Sequence, residues 1–218
     1  MKRTLRSSCL LVLLGCVVAS FTGCKSTYYA TYEKLGVYKR DLLKKQVVAA
    51  RDGQQKASEQ FKDALTKLKE VYAFDGGNLE KAYRSLDSEY KQSAERAATV
   101  HKRIADVETV GADLFREWEL EIKQITTASL ADGSRKQLRE TRAKFDLMVE
   151  ALKKAERSMD PVLTKLRDQV LYLKHNLNAA AIASLRGEST SIQSEISNLI
   201  ADMNASIAKA DEFIKAMQ

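Results

Sequence analysis

The chain has 218 residues, with 36 lysines and arginines against 29 acids and a formal charge of +7. Hydrophobic residues make up 44% and charged ones 30%, with one proline and nine glycines; this mix, rich in Ala, Lys, Glu and Leu, points to long helices. A nucleic-acid reading needs a concentrated basic face. Three cations, Lys2, Arg3 and Arg6, sit in the first six residues, and +7 less those 3 leaves +4.

The first element is an export signal. Met1 to Arg6 form a basic head, Ser7 to Ser20 an apolar run, and Phe21-Thr22-Gly23-Cys24 follows. This is the three-part layout of a secretory signal. Its end reads as a bacterial lipoprotein site, with Phe21 where Leu is usual. Thr22 and Gly23 are small enough for a peptidase to reach the bond before Cys24, whose thiol would be alkylated by a diacylglycerol donor. Three other readings exist: ordinary cleavage after Val18-Ala19-Ser20, lipidation at Cys16 within Leu13-Leu14-Gly15-Cys16, or an uncleaved membrane helix. The last needs about 20 apolar residues, and the run is shorter. Lipidation at Cys24 after removal of residues 1–23 is the expectation. Two or more acyl chains anchor stably where one does not. Lys25, rather than Asp, follows the cysteine, which favours the outer membrane, facing the periplasm. Cys9 and Cys16 leave with the signal, so neither a disulfide nor a thiolate metal site is expected.

Residues 24–37 read as a membrane-proximal collar. Tyr28, Tyr29, Tyr32 and Tyr38 are four of the eight tyrosines, and Lys25 to Arg51 holds seven cations, Lys39 and Arg40 among them, against two acids. Tyr and basic residues suit an interface with anionic headgroups. The alternative is an ordinary helix start packed on the bundle.

Residues 38–218 read as one elongated helical domain. Apolar residues at steps of three and four place stripes on four predicted helices. The first runs from about Tyr38 to Tyr72 and stops at Phe74-Asp75-Gly76-Gly77. The second runs from about Leu79 to Thr126, with Asn78 as N-cap. A turn is expected at Ser129 to Ser134, around Asp132-Gly133. The third runs from about Arg135 to Arg186, with Leu138, Phe145, Leu152, Met159, Leu166, Leu173 and Ala180 every seven residues. Pro161 should bend it or break it in two. Gly187 ends it, and the fourth helix, capped by Ser189 or Thr190, carries Ile192 to Met217. Short connections make neighbours antiparallel. The fold class is therefore all-α, an elongated four-helix bundle resembling a coiled coil. The Gly76-Gly77 and Gly187 turns share one end, and the Asp132-Gly133 turn lies on the lipid side.

Several stretches resemble a family of uncharacterised bacterial lipoproteins catalogued as domain of unknown function 2959. They include Glu33-Lys34-Leu35-Gly36-Val37, Phe74-Asp75-Gly76-Gly77, Leu114-Phe115-Arg116-Glu117-Trp118-Glu119 and Met159-Asp160-Pro161. The clearest is Arg167 to Ala179. The resemblance implies a helical, exported, lipidated proteobacterial protein and supplies no activity.

Among candidate sites, Lys174, His175, Asn176 and Asn178 form a polar cluster, either a register-fixing network or a recognition patch. The expected register brings His175 to Tyr90. It separates His175 from His101 by about 11 residues, roughly 16 Å, too far to share a metal. Glu117 with Glu119, and Asp87 with Glu89, are spaced two apart and do not face the same way on a helix. Trp118 reads as core. Leu171, Ile182 and Phe213 lie off the seam and serve either self-association or a broader core. No catalytic residue, cofactor or nucleic-acid partner is expected. The function expected is a non-enzymatic envelope scaffold or adaptor whose partners are an envelope protein or further copies of itself in a homo-oligomer; the alternative is a periplasmic carrier of lipid or another amphiphile.

Overall fold

The computed structural model describes residues 38–217. The chain divides into two units, Met1–Leu42 and Leu43–Gln218. Of the first, Tyr38 to Leu42 are described: Tyr38 is exposed, and its carbonyl accepts the Leu42 N–H at 3.0 Å.

The helices are α1 (Lys39–Tyr72), α2 (Leu79–Ile122), α3 (Ala128–His175) and α4 (Ala179–Ala216). No strand occurs among the described residues. The 44 residues of α2 and 48 of α3 extend roughly 66 and 72 Å at 1.5 Å per residue. No described helix is long and apolar enough to cross a membrane.

The second unit is the expected antiparallel four-helix bundle. Side chains fix its register. Glu119 pairs with Arg142, Glu108 with Lys153 and His101 with Glu156, so α2 descends as α3 ascends. Lys154–Asp202 and Lys165–Glu195 do the same for α3 and α4, and Arg51–Asp211 closes α4 onto α1. Across the diagonal, Gln54 reaches the Leu152 carbonyl and Tyr72 reaches Gln169, offsets of 98 and 97 residues. A nearly constant offset means that α1 and α3 run parallel.

The stripes form the core. On α3, Phe145, Leu152, Met159, Leu166 and Leu173 are buried, as are Val47, Phe61 and Leu68 of α1 and Ile196, Leu199 and Met203 of α4. Ile182 and Phe213 broaden this core, whereas Leu171 is exposed. Pro161 faces solvent, and α3 runs through it unbroken. The carbonyl deprived of its donor belongs to Arg157, on an exposed position where water can serve it.

Two of the three connections differ from expectation. The Gly76-Gly77 turn is where the sequence puts it: both glycines have positive φ, 153° and 111°, and Asn78 caps α2 by accepting the Lys81 N–H at 2.9 Å. The second connection, however, is residues 123–127, not 129–134. Ile125-Thr126-Thr127 is a β-branched run that disfavours helix, while Gly133 is absorbed into α3 with nothing near its Cβ position. The third connection is Asn176-Leu177-Asn178, not Gly187. Gly187, Ser189 and Thr190 all lie inside α4. A lone helical glycine costs about 1 kcal/mol against alanine, which packing of a long helix outweighs. Ala180, expected on the third helix's seam, is exposed at the start of α4.

One close approach was invisible to the periodicity. A Cβ built on Gly111 of α2 would stand 2.2 Å from Phe145 Cζ. The ring therefore occupies the space a side chain would fill. Phe145 also meets Phe115 edge-on at 5.2 Å and Phe213 at 5.8 Å.

Candidate functional site

Lys174, His175, Asn176 and Asn178 turn out to build a capping turn rather than a mid-helix network. His175 is the last residue of α3 and is exposed, as is Lys174. Asn176 Nδ2 donates to the Tyr172 carbonyl at 2.9 Å. Asn178 Oδ1 accepts the Ala181 N–H at 2.9 Å, capping α4. The signal was present: Asn-x-Asn before Ala179-Ala180-Ala181 is a cap followed by the best helix former. The register of the helices differs from the expected one that set His175 level with Tyr90. The α2–α3 ion pairs set His175 about one to two turns nearer the turn than Tyr90.

His101 is placed at mid-rod. Its Nδ1 lies 2.6 Å from Glu156 Oε1, and its Nε2 lies 3.7 Å from Asp160 Oδ1. The level of Asp160 is about 15 residues from His175, roughly 22 Å, so the two histidines are further apart than the sequence suggested. Among the described residues, no group of three or more His, Cys, Asp or Glu could hold a metal ion.

The acids spaced two apart go to separate partners. Glu119 takes Arg142 at 2.7 Å, Asp87 takes Lys91 at 2.6 Å, and Glu89 accepts from Gln60 Nε2 at 2.6 Å. Trp118 is half-buried, and its Nε1 donates to Ser134 Oγ at 2.8 Å, tying the last turn of α2 to the first turns of α3.

The core contains a polar band that periodicity did not reveal. Gln54 donates to the Leu152 carbonyl at 3.2 Å and accepts from Ser206, whose hydroxyl lies also 2.8 Å from the Met203 carbonyl. Ser58 and Ser93, one turn along, are fully buried, and their hydroxyls have no protein hydrogen-bond partner. Serine reads as helix-neutral, so its position on a stripe was the one available signal.

Near the Asn176–Asn178 turn, α3 and α4 frame a groove of about 330 Å³ with Lys165, Gln169, Tyr172, Leu185, Glu188 and Ile192 among its lining. Behind it, Tyr72 donates to Gln169 Oε1 at 2.7 Å, and burial pushes its phenol up to about 12, against a smaller lowering by that bond and a small rise from Glu188. Arg186 of α4 donates to the Tyr72 and Phe74 carbonyls, closing the C-terminal end of α1. A cation there suits both the unsatisfied carbonyls and the helix dipole.

Residues 28–217 match the family described as protein of unknown function, DUF2959. The chain belongs to this family. No curated protein matches it. The DUF2959 region takes in all four helices and the collar tyrosines Tyr28, Tyr29 and Tyr32, and it begins after Cys24. Those four residues lie outside the described ones. Of the remaining collar residues, Tyr38 precedes α1 and is 69% exposed, and Lys39 and Arg40 open the helix.

Proposed function

We propose that this DUF2959 chain is a lipid-anchored lipoprotein of the bacterial cell envelope with a non-enzymatic scaffold or adaptor role. Cys24 would carry the lipid, and the bundle would present its far end or outer faces to a protein partner, from the outer membrane into the periplasm. The filled interior carries the scaffold part of this reading. Large side chains from all four helices, among them Phe61, Leu86, Leu152 and Met203, have no accessible surface. Such packing suits a body that keeps its shape and holds two ends apart. The anchor rests on Phe21-Thr22-Gly23-Cys24 behind a basic and apolar leader.

The test has two parts. Mass spectrometry of the amino-terminal peptide should find a diacylglyceryl cysteine at position 24, lost in Cys24→Ser. In-cell photocrosslinking from Asp75 and Leu177 should then capture a defined envelope protein. An unmodified Cys24 would sink the anchor, and no defined envelope protein captured from either the far end or the outer faces at mid-rod would sink the adaptor role.

The carrier reading draws on the α3–α4 groove, whose volume matches the lower range of ligand pockets and whose floor includes Leu185 and Ile192. Its lining also carries Lys165, Asp168 and Glu188, a poor match for an acyl chain. Titration with a fluorescent fatty acid separates the two, since saturable binding lost in Ile192→Asp would favour the carrier.

A further inference from the structure

We propose that the groove between α3 and α4 docks a lysine- or arginine-bearing segment of a protein partner. The inference rests on the adaptor reading above and names the surface and the chemistry by which that partner is held. Steps of three and four put Lys165, Gln169 and Tyr172 on one face of α3, and Leu185, Glu188 and Ile192 on the facing side of α4. The space between them, about 330 Å³, suits one long side chain with its flanking peptide groups. Leu185 and Ile192 are buried beneath it, and Tyr172 is 40% exposed at its wall. Gln169 is the fixed polar group. It is only 7% exposed, and its Oε1 accepts from the Tyr72 phenol at 2.7 Å. The amide is thereby oriented, and its Nε2, with no partner among the described residues, is left to the groove. A donor held in so buried a side chain calls for an acceptor, and a peptide carbonyl supplies one.

The charges facing the groove select a cation. Lys165 is committed to Glu195 and, at 3.0 Å, to Ser191. Asp168 lies 3.7 Å from Arg167, with both side chains more than half exposed, an arrangement that holds weakly. Arg186 is taken up by the Tyr72 and Phe74 carbonyls. Lys174 and His175 lie past the lining, at the tip of α3. Glu188 remains, exposed and with no cation beside it among the described residues. Its charge is felt at the Tyr72 phenol, which bonds Gln169, so the carboxylate and the Gln169 amide stand close together. A lysine or arginine side chain fits this set. Its stem lies on Leu185 and Ile192, its cationic head meets Glu188 and the Tyr172 ring, and the carbonyl of its peptide accepts from Gln169 Nε2. An anionic head would meet Glu188 and Asp168 instead, where Lys165 is already neutralised.

The test titrates the full-length lipidated protein, in detergent micelles, with Nα-acetyl-lysine N-methylamide, which carries one side chain between two peptide groups. The norleucine and glutamate analogues are the controls, and the readout is the side-chain amide signal of Gln169 in NMR. Saturable shifts in the millimolar range are expected for the lysine probe, as suits a ligand of its size, with the norleucine probe about fivefold or more weaker. Glu188→Gln, at an exposed position, should abolish that preference while circular dichroism stays unchanged, and Glu188→Lys should turn it toward the glutamate probe. Equal shifts from all three probes, or none, overturn the groove as a site for a basic segment. Hexanoate that shifts Gln169 more strongly than the lysine probe, untouched by Glu188→Gln, assigns the groove to an amphiphile and overturns the proposal. Dimerisation that Glu188→Gln abolishes assigns it to a second copy of the chain and overturns it as well. Capture of a defined envelope protein from Leu177 in cells, without lysine-probe binding, overturns the groove and leaves the adaptor role standing. Lysine-probe binding without any captured envelope protein overturns the adaptor role and the partner named here together.

Discussion

The two ends of the bundle are closed by different physics. Several turns inward from the α2–α3 connection, closure is steric: Phe145 fills the space over Gly111 and meets Phe115 and Phe213 edge-on. At the opposite end closure is polar: Gly76-Gly77 reverses the chain, Asn78 and Asn178 cap α2 and α4, Tyr72 bonds Gln169, and Arg186 clamps the carbonyls of α1. Aromatic packing tolerates little change in volume. Hydrogen-bonded closure tolerates changes of shape but not the loss of a partner. The same four stripes thus end in one rigid junction and one directional junction.

Substitutions at the two ends should separate these mechanisms. The largest effect is expected for Phe145→Ala, a loss of about 3–5 kcal/mol in denaturant unfolding, since it empties the centre of the aromatic cluster. Gly111→Ala comes next. Helix propensity favours alanine by about 1 kcal/mol, but the methyl meets the ring, and a net loss of about 1–3 kcal/mol is expected. In the Phe145→Ala background the same change should become neutral or stabilising. Additive single effects would show that the ring does not depend on the glycine.

At the polar end, Tyr72→Phe should cost about 1–2 kcal/mol, because Gln169 is buried and loses its donor. A pH signature accompanies it. The Tyr72 phenol stands at about 12 when folded against 10 for an ordinary tyrosine. The folded state therefore holds its proton more tightly, so the contribution is whole below pH 10 and is lost as pH rises through about 12. The wild-type stability should fall more steeply than that of Tyr72→Phe across this window, and parallel curves would contradict the assignment. The smallest effect is expected for Asn178→Ala, about 1 kcal/mol with α4 fraying first in hydrogen exchange.

Much of this architecture was legible in the sequence, and the misreadings have a common cause. Four helices, their stripes and the Gly76-Gly77 turn follow from periodicity and from paired glycines. The other turns were sought at Gly133 and Gly187, yet each glycine stands alone in a helix, with nothing near its Cβ position. The true stops use other chemistry: a β-branched run at Ile125-Thr126-Thr127, and two amide side chains at Asn176 and Asn178. The seven-residue step also carried the seam past Leu173 to Ala180, because a heptad cannot register that the chain has already reversed. His175 moved with that error, from a mid-rod neighbour of Tyr90 to the tip of α3. Gly111 was missed for the opposite reason, since a residue without a side chain leaves no mark on a hydrophobic pattern. The aromatic cluster beside it was the remaining clue.

The even register of the helices makes reach a separable property of this molecule. From Glu119–Arg142 through Glu108–Lys153 to His101–Glu156, the residues of α2 and α3 stay in step to within about one turn, and Lys154–Asp202 and Lys165–Glu195 keep α4 in step with them. Removing one heptad at the same level from each of the four helices would bring the two ends closer by roughly 10 Å and leave both closures untouched. A deletion in one helix alone would put every pair beyond it out of step. A lineage could therefore tune the distance this rod spans only in concerted steps, as if trimming a ruler that must be cut on all four edges at once.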